Sequence, residues 1–241
     1  MRRILYLALA CALPMLGRAQ NNSADDGLRE FVNSPTGING LQAGGATYVK
    51  NAANGIEPEV LYDYPNGTSA TLVSNDGKEF PTKARYWREL GRVEIWYGGS
   101  NYFADGEVFP YVVIGEHVYA YNDYGSAKTP KRAYAKLVAG TSETDYQVAR
   151  LFTITRRSDV PPDRGFSRAQ QKTYRVDSTD VLIGDRPFAL EVHRRAGRFR
   201  GYLSACGAGA HEEAVAQTRY RTVAYYDRLI EELQEGCAGE R

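Results

Sequence analysis

The chain carries three histidines, His117, His193 and His211, and most acid–base or zinc chemistry near neutral pH needs at least one. None stands in a metal-ligand spacing. His211-Glu212-Glu213 opens like a zincin helix, but the second ligand of an H-E-x-x-H site would fall where Val215 stands. That cluster reads as a charged surface at a helix start, and His193, beside Arg194 and Arg195, as a solvated basic face. No metal site is expected. His117 is different, because on a strand it shares a face with Tyr119 and Tyr121 while Val118 and Ala120 point the other way. Flat apolar rings edged by imidazole and hydroxyl groups suit a sugar or a peptide. His117, Tyr119 and Tyr121 are therefore the candidate ligand-binding residues, against the competing reading that these tyrosines cover a half-buried sheet face or pack beneath helices.

Signatures of other chemistry are missing. Ser204 in GYLSACG has glycines three residues away on each side, whereas a nucleophile elbow needs them two away. There is no P-loop, dinucleotide fingerprint or EF-hand spacing, and no cofactor is expected. Carboxylates are plentiful. Asp105 with Glu107, or Asp123 with Asp145, could form acid–base pairs, but a glycosidase needs a defined separation that sequence does not give.

The elements that must position these residues begin after an export signal. Arg2 and Arg3 precede an apolar run from Ile4 to Leu13, too short to span a bilayer, and Gly17 and Ala19 are small residues suited to cleavage. Residues 1–19 read as a signal peptide, so the destination is periplasm, outer surface or medium. A lipid anchor through Cys11 fits poorly, since Leu9 stands immediately before Ala10 rather than one residue earlier. Removing Arg2, Arg3 and Arg18 leaves 27 basic against 29 acidic residues, a net charge of −2. So balanced a charge offers no field to attract nucleic acid. No second long apolar segment suggests a transmembrane helix in the mature chain.

Residues 20–45 lack apolar periodicity and read as a flexible segment. From 46 to 177, β-rich runs alternate with Gly, Asn and Asp, the pattern of an antiparallel β-sandwich or open barrel. Strands are expected at Glu59–Tyr64, Thr68–Ser74, Lys78–Trp87, Arg92–Tyr97, Val108–Ile114, His117–Asn122, Ala135–Ala139, Gln147–Thr155 and Lys172–Asp177, with hairpin turns at Pro65-Asn66-Gly67, Asn75-Asp76-Gly77 and Gly115-Glu116. On Arg92–Tyr97 one face looks buried and the other amphipathic. The run 158–170, with paired prolines, reads as an exposed loop.

From 178 to 235 the period lengthens. Val192, Ala196, Phe199 and Leu203, then Val215, Val223, Tyr226, Ile230 and Leu233, recur as helix stripes. Two C-terminal helices packed on the sheet are expected, separated by Gly207-Ala208-Gly209 and stopped at Gly236, with 236–241 as a tail. The fold class is α+β, as one domain. If the second helix runs from His211 to Leu233 it spans roughly 35 Å, which separates Cys206 from Cys237 and favours free thiols.

The run GTSATLVSNDGKEF at Gly67–Phe80, Tyr86, the QKTY run at Gln171–Tyr174 and Tyr225-Tyr226-Asp227 resemble a recurrent layout of uncharacterised secreted proteins of Gram-negative bacteria. The resemblance implies export and this architecture, and brings no activity or site residue with it. The expected function is an exported, non-catalytic, envelope-associated binding or structural module. Its partner would be a glycan or peptide ligand, or a protein docked on the last helix. The alternative is an extracellular hydrolase of glycans or peptides whose carboxylates are assembled by folding.

Overall fold

The computed structural model describes residues 41–43, 56–125, 131–141, 144–157, 173–184, 189–192, 197–206 and 221–237. The expected signal segment 1–19, Cys11, the run 158–170, His193, Val215, His211 and the Gly207–Gly209 separator lie outside them. In chain order the elements are β1 (Leu41–Ala43), α1 (Pro58–Leu61), β2 (Tyr62–Val73), β3 (Glu79–Trp87), β4 (Arg92–Tyr97), β5 (Ser100–Ala104), β6 (Tyr111–Ile114), β7 (His117–Asp123), β8 (Arg132–Ala139), β9 (Gln147–Arg157), β10 (Thr173–Ile183), β11 (Leu190–Glu191), α2 (Gly197–Ala205) and α3 (Val223–Cys237). The strands form one sheet in the order β1-β5-β4-β3-β2-β6-β7-β8-β9-β10-β11. Every pairing is antiparallel. The architecture is thus α+β, and the sheet is not closed: β1 and β11 are its edges. Leu41–Ala43, inside the stretch expected to be flexible, is the strand that pairs with β5.

Two expected turns form for the reason that suggested them. Gly77 and Gly115 adopt positive φ, 77° and 59°, at the tips of the β2–β3 and β6–β7 hairpins. The third expected turn does not reverse the chain. Pro65-Asn66-Gly67 lies within β2, where Asp63 pairs with Tyr86 and Thr68 with Ala84, so four residues bulge opposite the single Arg85. Arg85 holds this bulge by donating from Nη1 to the Pro65 carbonyl at 3.0 Å. Gly67 is needed there: its φ is 69° and a Cβ would sit 2.7 Å from the Trp96 ring. The expected strand start at Glu59 is instead the short helix α1, with Pro58 at its first turn.

On β4, Val93 and Ile95 face the core, but the opposite face is covered too. Glu94 is buried, accepting from Arg85 Nε at 2.7 Å and Asn101 Nδ2 at 2.8 Å. The sheet is strongly curled. Although β3 and β8 are four places apart in the strand order, the Tyr86 hydroxyl donates to the Tyr134 carbonyl at 2.9 Å, and Tyr134 N–H to the Gly91 carbonyl at 2.7 Å. Inside the curl lies an aromatic core that includes Leu72, Phe80, Tyr86, Ile95, Phe109, Val112, Tyr119 and Tyr134. Side chains of this kind each contribute about 1.5–3 kcal/mol on burial.

The helices cover the same face farther along. Val148 and Leu182, which pair in register on β9 and β10, pack with Phe199 and Tyr202 of α2 and Tyr226, Leu229, Ile230 and Leu233 of α3. The α3 stripe is buried there except at Val223, which is 57% exposed and is the one exposed large hydrophobic side chain among the described residues. Thr222 caps the helix, its Oγ1 accepting from the Tyr225 amide at 3.3 Å. Gly236 lies in the last turn instead of ending the helix before it.

The expectation of free thiols is overturned. Cys206 and Cys237 form a disulfide with their Cα atoms 4.8 Å apart. The described helix starts at Val223, not His211, and carries Cys237 in its own last turn. Its 15 residues span about 22 Å, and its last residue, Cys237, lies beside the end of α2 through the disulfide.

Candidate binding face

His117, Tyr119 and Tyr121 do share one face of β7, and it is the inner face of the curl. Their environments differ along the strand. Tyr119 is 0% exposed: its ring stacks on Tyr86 with centroids 4.5 Å apart, and its hydroxyl donates to Asp63 Oδ2 at 2.9 Å. Burial, with Asp63 beside it, pushes the phenol far above its usual range. Tyr121 is half-buried, lying 5.2 Å from the Tyr134 ring and so close against Gly106 that a Cβ there would overlap it. His117 is half-exposed at the strand start, with Nε2 3.9 Å from Glu116 Oε1 and its ring 6.1 Å from that of Tyr64. Tyr64 sits in the β2 bulge at φ 59°, a strained backbone for a residue with a side chain.

Beside these residues runs a seam of charge that separates the aromatic core from the helix-covered core. Pairing places Lys136 of β8 between Tyr119 of β7 and Arg150 of β9, all on the inner face. On one side, Arg88 binds Asp63 through Nε at 3.0 Å and through Nη2. On the other, Arg150 grips Asp180 with two bonds, Nε to Oδ1 at 2.7 Å and Nη2 to Oδ2 at 3.1 Å. Asp180 is 1% exposed. It also accepts from the Tyr226 hydroxyl and faces Arg221 Nε at 3.4 Å. Burial by itself would push the Asp180 carboxyl up. Hydrogen bonds from Arg150 and Tyr226, with the charges of Arg150 and Arg221, outweigh it and hold the group below its ordinary value.

Lys136 lies between these two ion pairs and belongs to neither. Among the described residues its ammonium has no salt-bridge partner. Half-buried, it is held below the usual lysine range, first by desolvation and then by Arg150 and Arg88, with Asp63 and Glu116 opposing. The seam went unread in the sequence because both faces of β8 look apolar in AYAKLVA, which leaves the phase of Lys136 open. The available signal was a charge placed between large residues of one phase: Lys136 between Tyr134 and Val138, and Arg150 between Val148 and Phe152.

Of the carboxylates suggested as acid–base pairs, Asp105, Glu107 and Asp123 serve turns and surface pairs. Asp105 Oδ1 accepts from the Glu107 amide at 3.0 Å, and Glu107 pairs with Arg132. Asp123 accepts from the amides of Gly125 and Lys131, both at 2.9 Å, and these bonds lower its carboxyl. Among the described residues, no group of three or more His, Cys, Asp or Glu side chains could hold a metal ion. No described helix is long and apolar enough to cross a membrane.

Comparison with protein-family models, curated proteins and solved structures finds no match for this chain.

Proposed function

We propose that this chain is an exported, non-catalytic binding module of the cell envelope, with a sheet curved like an open barrel and its ligand face on the inner side near His117. The carrying observation is the charged seam. A sheet face that only needed to fold would place apolar residues between its two cores, because buried ion pairs are costly to desolvate and seldom more stabilising than hydrophobic packing. Here Asp63, Arg88, Lys136, Arg150 and Asp180 occupy that position, next to the half-exposed rings of His117, Tyr64 and Tyr121. Polar groups converging beside aromatic surface suit a glycan or peptide. Export is read from residues 1–19, and the resemblance of the sequence layout to secreted Gram-negative proteins agrees with it. The hydrolase alternative gains little support, since Asp105, Glu107 and Asp123 are spent on turns and ion pairs.

The test is a glycan and peptide array probed with the exported protein and with a His117→Ala, Tyr64→Ala double variant. Tyr119 is left intact because truncating so buried a ring would disrupt the core. Selective binding that is lost in a folded double variant supports the reading. Absence of binding on both arrays overturns it.

A further inference from the structure

We infer that Lys136 is the receptor for a single carboxylate on the ligand, and that this ligand is an acidic sugar such as a uronate. The inference rests on the binding-module reading above and adds the ligand's charge and class. Its first support is stoichiometry within the seam. Arg88 is matched by Asp63 and Arg150 by Asp180, each through close hydrogen bonds. Lys136, held between Tyr119 and Arg150 by the pairing of β7, β8 and β9, has no salt-bridge partner among the described residues. With no carboxylate in contact with this half-buried ammonium, its desolvation is offset only in part, by the charges of Asp63 and Glu116. A bound carboxylate would supply a charge-assisted hydrogen bond where solvent screening is weak.

The groups around Lys136 narrow the anion. Asp63 and the 85% exposed Glu116 both act on it electrostatically, and they repel a second negative charge. Phosphate carries about −1.5 to −2 charges at neutral pH, so it meets more repulsion than a carboxylate does. The same carboxylates accept hydrogen bonds from hydroxyls, which a sugar has in number. The Tyr64 and His117 rings, inclined at 45° to each other, each offer a ring face against which the apolar face of a pyranose packs.

Isothermal titration of the exported protein with digalacturonate, its neutral counterpart digalactose, inorganic phosphate and an end-blocked Ala-Glu-Ala peptide tests the inference. We expect digalacturonate to bind at least tenfold more tightly than the other three. Lys136→Gln, with its fold checked by circular dichroism, should bring digalacturonate down to the affinity of digalactose, while Lys136→Arg retains most of it. Equal binding of the two sugars, or full binding by Lys136→Gln, overturns the anion role while the binding-module reading stands. Preference for phosphate or the peptide overturns the sugar assignment. Absence of binding to all four probes overturns the inference, and the wider reading then stands or falls on the arrays. Should Lys136→Gln not fold, lysines of the native protein are labelled by reductive 13C-dimethylation, with Lys136→Arg identifying the Lys136 signal. A saturable shift of that signal with digalacturonate is expected, and no shift overturns the inference.

Discussion

Replacing Arg150 by Met leaves the buried Asp180 carboxylate with only Tyr226 and the more distant Arg221, whereas replacing Asp180 by Asn leaves Arg150 without its carboxylate, and the two should not cost the same. Asp180 is 1% exposed and the Arg150 side chain 29% exposed, so water reaches the arginine left by Asp180→Asn but not the carboxylate left by Arg150→Met. Removing one partner of a buried pair costs about 3–5 kcal/mol, and Arg150→Met should fall in that range. Asp180→Asn keeps an acceptor for Tyr226 and leaves only partly hydrated cations, so about 1–2 kcal/mol is expected. A pH test separates this from simple packing loss. In the native protein Asp180 is held below its ordinary 3.8, so its contribution is complete above about pH 4 and is lost as pH falls through the depressed folded value. Without Arg150, burial is opposed only by the Tyr226 hydrogen bond and the Arg221 charge, and the folded value is expected to rise above the unfolded one. The sign then reverses, with stability falling as pH rises through the raised value. Urea denaturation at pH 7 and pH 4.5 should therefore show the Arg150→Met deficit shrinking at the lower pH. Equal costs for the two variants, or a deficit that does not change with pH, would refute the reasoning.

Three further outcomes follow from other parts of the fold. A Cys206→Ser, Cys237→Ser double variant should lose about 3–4 kcal/mol in a chain-entropy estimate for a 31-residue separation, read as a lowered melting temperature that reducing agent does not lower further. Gly67→Ala forces a Cβ into both a positive φ and the Trp96 ring, so a loss of about 1–3 kcal/mol is expected, with changed tryptophan fluorescence. Tyr119→Phe removes one hydroxyl from Asp63 while Arg88 remains, and about 1 kcal/mol is expected by denaturant titration.

Local rules carried the sequence reading where the chain obeys them locally. Gly77 and Gly115 turn because only glycine takes positive φ without strain, and Arg92–Tyr97 is a strand at the expected residues. Pro65-Asn66-Gly67 has the same turn chemistry, yet long-range pairing with β3 overrides it and makes a bulge. The disulfide was hidden by a helix drawn twelve residues too early at its start, a boundary periodicity fixes poorly. The seam was hidden for another reason. Alternation tells two faces of a strand apart only when one of them is polar, and on β8 both faces are buried against something.

Among the described residues the outermost strands are the shortest in the sheet, three residues in β1 and two in β11. An open sheet presents a row of unpaired amides and carbonyls at each rim, a ready template for the rim of another molecule. Here each template is shorter than the four to eight residues usual for a strand, although the interior strands β9 and β10 pair along eleven positions. Among the described residues the sheet therefore tapers toward both rims, which leaves little strand backbone there for another chain to extend.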